Sequence, residues 1–399
     1  MNITIITELL PWPLNSGGAQ GQFNMIDQLR KLHHITLIFQ ENGYNKLSAK
    51  RILEEKWPDV KILAFPYWRQ LCHPQFLLDK IERAFKLKFT PKSQRFLVQR
   101  ILKPYGVCYS SQFLRFVNRV IKENNTDIIQ VEFYPCLHLV NFLPSDIKKV
   151  FVHHELRFVR NDRMTKPLQL MPKEEELKKN VKETELGDLN KYDAIITVTR
   201  QDQDYLLREG ITKPIYSSPS AIQTTPQPYQ EWNGKLSFVG GYFHSPNQEG
   251  IDWYLKEVVP FLGEDYPILE IIGKGWPDDY KSPHCFPKGF VSCLSDVISG
   301  SIMIVPILSG SGMRMKILEA MAMSLPIVTT TVGVEGIKLT HNESCIIADT
   351  PEEFSNAIRE IASNPELHRR LGVKANEVFR QRYSVEKLSS VRNDIYKAL

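Results

Sequence analysis

The 399-residue sequence predicts an α/β protein built from two Rossmann-like, doubly wound domains facing a cleft. Three observations lead there. Short apolar runs of strand length alternate with helical stretches along the whole chain. A Pro/Ser/Thr/Gln-rich stretch at 214–232 has little periodicity and reads as a linker between two such sets. The length also exceeds what one ordinary hydrophobic core fills, so two domains are expected.

The first set opens with an apolar strand at 3–7, a turn-rich loop at 11–18 containing Ser16, Gly17 and Gly18, a helix at 19–32 and a strand at 35–39. The loop lacks GxGxxG spacing, so it argues for a ligand approaching backbone or for a plain tight turn, not for a dinucleotide site. Strands follow at 60–65, 127–131 and 149–152, the last running into His153, His154 and Glu155. Helices are expected at 112–124 and 173–190, then a strand at 194–198 and a helix through Leu207. In this architecture, polar residues at the C-terminal end of a parallel strand are where chemistry sits.

The second set starts with a strand at 236–239, a helix at 247–258, a strand at 268–272 and the region 285–291. Its centre is 304–336, IVPILSGSGMRMKILEAMAMSLPIVTTTVGVEG: strand, Ser-Gly-Ser-Gly turn, helix, strand. A helix N-terminus after a glycine turn offers unpaired N–H groups and a favourable dipole to an anion. Gly310 and Gly312 flank Ser311 in that turn, and Arg314, Lys316 and Glu319 follow within about two helical turns. The pattern suits a diphosphate joined to a polyol, as in a nucleotide-sugar. Three helices, at 351–362, 365–382 and 385–399, close the chain.

A carboxylate inside the apolar segment 317–323 is costly unless it is paired or bound by ligand. Glu319 therefore reads either as a sugar-hydroxyl acceptor or as an i,i+3 partner of Lys316. Arg314 and Lys316 read as phosphate contacts or as a solvated face. A histidine at 153 or 154 could hydrogen-bond a sugar hydroxyl, act as an acid or base, or be a satisfied core residue. No metal is expected, because no carboxylate cluster stands at the strand ends.

Composition sets further bounds. Apolar residues make up 42% and charged residues 24%, values of a soluble globular protein. The first residues lack the features of a signal peptide and no apolar run is long enough to span a bilayer, so a cytoplasmic location is expected. Six scattered cysteines read as reduced thiols. The net charge of +5 conceals a basic segment at 69–103 in which basic and apolar residues interleave. It reads as an amphipathic helical pair against an anionic membrane, or as a helical insertion with an ordinary solvated face. No helix-turn-helix or base-stacking pattern accompanies it, so nucleic acid is not an expected partner.

The stretch GSGMRMKILEAMAMSLPIVTTTVGVEGI resembles the donor-site motif of family-4 retaining glycosyltransferases, the group 1 enzymes of the GT-B fold. Weaker similarity extends through SGGAQ, FVHHELRFVR, KYDAIITVTRQDQDYL and LSFVGGYFHSPNQEGIDWYL. The resemblance implies an acceptor-binding domain at 1–213, completed by a C-terminal helix at 385–399 that crosses back to it, and a donor-binding domain at 214–384. It implies that Glu319 binds the ribose hydroxyls, and that Gly310, Ser311 and Gly312 line the diphosphate or donor sugar. Gly17, Gly18 and Gly240 would approach the nucleotide-sugar, and Pro287 and Phe290 would lie near the base. His153 would contact the transferred sugar, with His154 a close competitor. The family's first glutamate is replaced by Ser311, and its usual basic pair after the first donor-domain strand by Gly241 and Glu249. Arg314 and Lys316 are therefore expected to carry the phosphates.

The expected reaction is transfer of a sugar from a nucleotide diphosphate to an acceptor hydroxyl, with retention and without metal or other cofactor. The expected acceptor is a lipid-linked or polysaccharide intermediate in surface polysaccharide or glycolipid assembly, handled at the inner face of the membrane. A nucleotide-sugar epimerase and a non-catalytic nucleotide-sugar-binding protein are the alternatives.

Overall fold

The structure, a computed structural model, describes residues 1–14, 17–41, 47–66, 109–166, 169–219, 222, 224–263, 266–310 and 313–399. The basic segment 69–103 and the turn residues Ser311 and Gly312 lie outside them.

The chain forms two compact units, 1–219 with 389–399, and 220–388. In the first, strands β1 (Asn2–Thr7), β2 (His34–Gln40), β3 (Lys61–Phe65), β4 (Ile128–Glu132), β5 (Lys148–His153), β6 (Ala194–Thr197) and β7 (Ile215–Ser217) form one sheet. Its order is β3-β2-β1-β4-β5-β6-β7 and every pairing is parallel. Strand β7 lies inside the stretch read as linker. Its three residues follow a proline and are too short to show a period.

Both faces of this sheet are covered, which is why its strands read as unbroken apolar runs. Strand alternation sorts the side chains. Ile3, Ile5, Ile128, Val150 and Val152 join the core with helices α1 (Gly17–Leu29) and α2 (Leu47–Lys56). Ile6, Ile129, Val131 and Phe151 join the opposite core with α3 (Ser111–Glu123), α4 (Arg157–Thr165) and α5 (Pro172–Leu189). Helix α6 (Arg200–Arg208) connects β6 to β7.

The second unit holds β8 (Lys235–Val239), β9 (Ile268–Ile272), β10 (Cys285–Gly289), β11 (Ile302–Val305), β12 (Ile327–Thr329) and β13 (Ile346–Ile347) in the order β10-β9-β8-β11-β12-β13, again all parallel. Helix α7 (Ser245–Trp253) runs through a π turn into α8 (Val259–Leu262). The short α9 (Ser295–Ile298) precedes β11, and α10 (Met315–Ala322) follows it. Helices α11 (Pro351–Ser363) and α12 (Pro365–Arg382) complete the unit, and α13 (Val385–Lys397) carries the chain into the first unit from Ser389. There Ile395 and Tyr396 join the core of α1 and α2.

Each sheet reverses its winding once, between β1 and β4 in the first and between β8 and β11 in the second. At such a switch point the loops leaving adjacent strands diverge and open a crevice at the C-terminal strand ends. Helix α7 can reach the end of β11 only because residue 250 is glycine. A Cβ there would sit 2.3 Å from the Pro306 carbonyl oxygen. At the other end of α10, Asn376 Nδ2 donates to the Met321 and Ala322 carbonyls at 3.0 and 2.7 Å, capping groups that the helix cannot pair itself.

Gly250→Ala should therefore lower the denaturant midpoint of the second unit at unchanged m-value, a loss of about 1–3 kcal/mol from overpacking. Gly187→Ala, on α5 with nothing within 4 Å of a new Cβ, should instead stabilise by about 0.5–1 kcal/mol.

Candidate active site

The second switch point gathers most of the residues singled out in the sequence. Gly240 follows β8 with its carbonyl taking the Trp276 indole N–H at 2.8 Å. Gly310 follows β11 with φ of +97°, a conformation that glycine adopts without strain. Arg314 is the N-cap of α10, and its Nη2 donates back to the Ser309 carbonyl at 3.5 Å. The Ser309 hydroxyl in turn donates to the Glu249 carboxylate on α7.

Lys316 does not lie on a solvated face. Its Nζ sits 3.9 Å from the centroid of the Phe238 ring and donates to Asn247 Oδ1 at 2.8 Å. Asn247 Nδ2 donates to the Gly241 carbonyl at 2.8 Å, so one buried amide ties α10 to the loop after β8. A Cβ at Gly240 would meet that amide at 2.5 Å. Asn247 was read in the sequence only as a helix start. Its position one turn into a Pro-Asn helix opening was the available signal.

The electrostatics of α10 are unbalanced. Burial pushes the Lys316 ammonium well below its ordinary value, and the neighbouring Arg314 charge adds to the effect. Burial also pushes the Glu319 carboxyl up to about 7, against the pull of Lys316. No described residue donates a hydrogen bond to that carboxyl. An anion beside Arg314 and Lys316 would relieve their repulsion, and hydroxyl donors would restore the ionised form of Glu319.

Pro287 lies in β10 and Phe290 just past its end. Strand β10 is at the sheet edge, two strands from β8, so these residues stand apart from the Lys316 cluster. Phe290 is 62% exposed, with the Lys274 ammonium 4.7 Å from its ring centroid.

In the first unit the two histidines part company. His153 ends β5 on the Phe151 side and is 1% exposed. Its Nε2 meets Glu185 Oε1 at 2.8 Å, and the same carboxylate takes the Arg157 and Phe158 amides at the start of α4, each at 2.9 Å. Burial raises the Glu185 pKa, while the His153 contact and the Phe158 amide pull it down. This carboxylate fastens α5 to β5 and to the N-terminus of α4. Glu185 was not marked in the sequence, since it lies in a charge-rich helix.

His154 lies just beyond the strand. Its Nε2 meets Glu132 Oε2 at 3.0 Å, and its ring stacks on Phe133 with centroids 4.0 Å apart and planes within 8°. Phe133 follows β4 with φ of +67° and ψ of 141°, a strained geometry for a residue with a side chain. A Cβ at Gly18 would come within 3.1 Å of the Phe133 ring. Gly18, Phe133, Glu132 and His154 thus meet at the first switch point, whereas Gly17 is exposed at the first position of α1.

Residues 233–364, which hold β8 through α11, match the model of the glycosyl transferases group 1 family. That stretch of the second unit is therefore similar to the group 1 glycosyltransferases. The chain as a whole has the GT-B fold. Over 100% of its length it superposes on 99% of a sucrose-phosphate synthase from Thermosynechococcus elongatus, with a TM-score of 0.70 at 13% identity. Over 100% of both chains it superposes on Anabaena Alr3699/HepE in complex with UDP-glucose, with a TM-score of 0.67 at 11% identity. S. aureus TarM in a complex that includes UDP gives a TM-score of 0.68 at 11% identity over 99% of each chain. In sequence, the chain is 22% identical to an uncharacterized 44.6 kDa protein in the cps region of Klebsiella pneumoniae, over 97% of this chain and 98% of the other. Among the described residues, no group of three His, Cys, Asp or Glu side chains could hold a metal ion, and no helix is long and apolar enough to cross a membrane.

Two measurements separate the roles of these groups. Glu185→Ala strands His153 and two amides in the core and should cost about 3–5 kcal/mol, whereas His154→Ala should cost about 1 kcal/mol. Equal losses in chemical denaturation would contradict the division. Between its ordinary 4.5 and about 7, folded Glu319 retains a proton that the unfolded chain has released, so this group makes stability fall as pH rises across that window. Glu319→Gln should remove that component, leaving a flatter stability profile than that of the parent.

Proposed function

We propose that the chain is a retaining glycosyltransferase that moves a sugar from a nucleotide diphosphate to an acceptor hydroxyl in surface-polysaccharide assembly. The carrying observation is the α10 segment, where Glu319, a half-buried carboxyl that takes no hydrogen bond from any described residue, lies about one turn beyond Arg314 and Lys316. In this reading Glu319 accepts the ribose hydroxyls. Arg314, Lys316 and the backbone at Gly310, Ser311 and Gly312 hold the diphosphate. Gly240 keeps the loop after β8 low enough for Asn247 to present Lys316. Pro287 and Phe290 stay assigned to the neighbourhood of the base.

In the first unit His154 is the histidine that meets the sugar, because His153 is sealed against Glu185. Gly17 and Gly18 leave room for ligand beside Phe133. Cations and N–H donors stabilise the charge that develops on the leaving diphosphate. A leaving phosphate oxygen deprotonates the acceptor on the same face, so neither a dedicated carboxylate base nor a metal is required. The HepE and TarM complexes contain UDP or UDP-glucose, which makes UDP-sugars the first donors to test. The Klebsiella relative comes from a cps region, which supports a polysaccharide or lipid-linked acceptor.

A thermal-shift panel of nucleotide-sugars should show one donor raising the midpoint, since ligand that binds only the folded state stabilises it. With that donor, Glu319→Ala should abolish transfer while the fold is retained, and near-normal turnover would refute its role. Lys316→Ala should weaken UDP binding by about tenfold, the loss of a charge-assisted contact, as read by calorimetry. Transfer should survive excess EDTA. Incubation without acceptor should give slow hydrolysis; conversion of the sugar to an epimer would favour the epimerase alternative.

A further inference from the structure

The Glu132 carboxylate that holds His154 belongs to a longer buried chain. Strand alternation puts Gln130 and Glu132 on the α1/α2 face of β4, where α13 also packs. Gln130 Nε2 donates to Glu132 Oε1, and Gln130 Oε1 accepts from the Tyr396 hydroxyl of α13, 266 residues away in sequence. The Arg392 guanidinium, one turn earlier on α13, touches that hydroxyl and also donates from Nε to Ser218 Oγ at 3.2 Å. Gln130 is 0% exposed, Tyr396 2%, Arg392 3% and Glu132 3%, so no part of the chain trades partners with bulk water.

The donors run in one direction. A phenol hydroxyl giving its proton to Gln130 Oε1 fixes the amide with its N–H₂ group toward Glu132. The reversed amide would aim its oxygen at a carboxylate oxygen. Glu132, an acceptor only, then takes one hydrogen bond from Gln130 and the other from His154 Nε2–H. The other nitrogen, Nδ1, has no described partner.

We propose that Tyr396 and Gln130 are positioning residues: α13 holds His154 as its Nε2–H tautomer, with the Nδ1 lone pair presented to a sugar hydroxyl. This rests on the reading of His154 as the sugar-facing histidine, but the tautomer exists without any ligand. The C-terminal helix thereby does more than cover a core face, because its last turn sets which nitrogen is available.

The test needs no substrate. In the full-length protein with ¹⁵N-labelled histidine rings, and with His154→Gln to identify the resonances, neutral His154 should show a protonated Nε2 and an unprotonated Nδ1. Tyr396→Phe deletes one hydroxyl, and Gln130→Met replaces the amide by an apolar chain of similar length. Each should lower the ratio of Nε2–H to Nδ1–H by about fivefold, the effect of one lost hydrogen bond. Ring shifts unchanged in folded Tyr396→Phe and Gln130→Met would overturn the proposal, leaving the chain as a helix anchor alone. Should either variant fail to fold, Glu132→Gln supplies the same comparison, since its amide can donate to His154 Nε2 as well as accept. Absence of sugar transfer in the parent would count against the enzyme assignment and leave this readout intact.

Discussion

Backbone-to-backbone approach at the C-terminal edge of the second sheet is the constraint on which the second unit depends. A Cβ at Gly250 would strike the Pro306 carbonyl, and one at Gly273 would lie 2.2 Å from the Gly240 carbonyl oxygen. These contacts bring α7 down onto the end of β11 and press the loops after β8 and β9 together. Only at that separation can Asn247 reach Gly241 with its amide nitrogen and Lys316 with its amide oxygen. The Lys316 amine is then held half-buried over Phe238, where its surroundings favour the neutral form over the ammonium.

The fold class was legible because parallel strands buried on both faces leave an unmistakable trace, an apolar run between helices. Strand and helix positions in both units follow that trace to within a few residues. Apart from α2, what escaped has little periodicity. Strand β7 is three residues beside a proline, β13 is two residues, and α4 is a polar helix with apolar residues too sparse to announce it. The site was legible where glycine and charge are concentrated, along α10 and its preceding turn. It was illegible where an ordinary residue type acquires its role from tertiary contact. Asn247 and Glu185 are of that kind.

The histidine pair shows why adjacency in sequence cannot decide function. In a sheet covered on both faces, the in/out alternation that would rank two neighbours is absent from the residue types. The structure ranks them by which core each joins. His153 follows Phe151 into the face of α4 and α5, and its Nε2 is consumed by Glu185. His154, one residue on, leaves the strand and stacks on the strained Phe133 at the switch point. Strain at Phe133 costs about 1–3 kcal/mol, and it is tolerated where the ring both supports the imidazole and fills the space above Gly18.

Two glutamates, one fully and one partly buried, make the distinction between architecture and a proposed binding role concrete. Glu185 has three protein donors, one imidazole and two amides, so its burial is answered within the chain and its purpose is to join three elements. Glu319 is half-buried beside two cations yet takes no hydrogen bond from any described residue, and its proton is held up to about pH 7. A half-buried carboxyl with a raised pKa is a cost to the folded chain that an apolar residue on α10 would not carry. In the proposed role the missing donors arrive with the ligand. Vicinal hydroxyls are the donors that fit, because they would satisfy the carboxylate and restore its charge in the same step. In the same proposal, a diphosphate on that ligand would relieve the repulsion between Arg314 and Lys316.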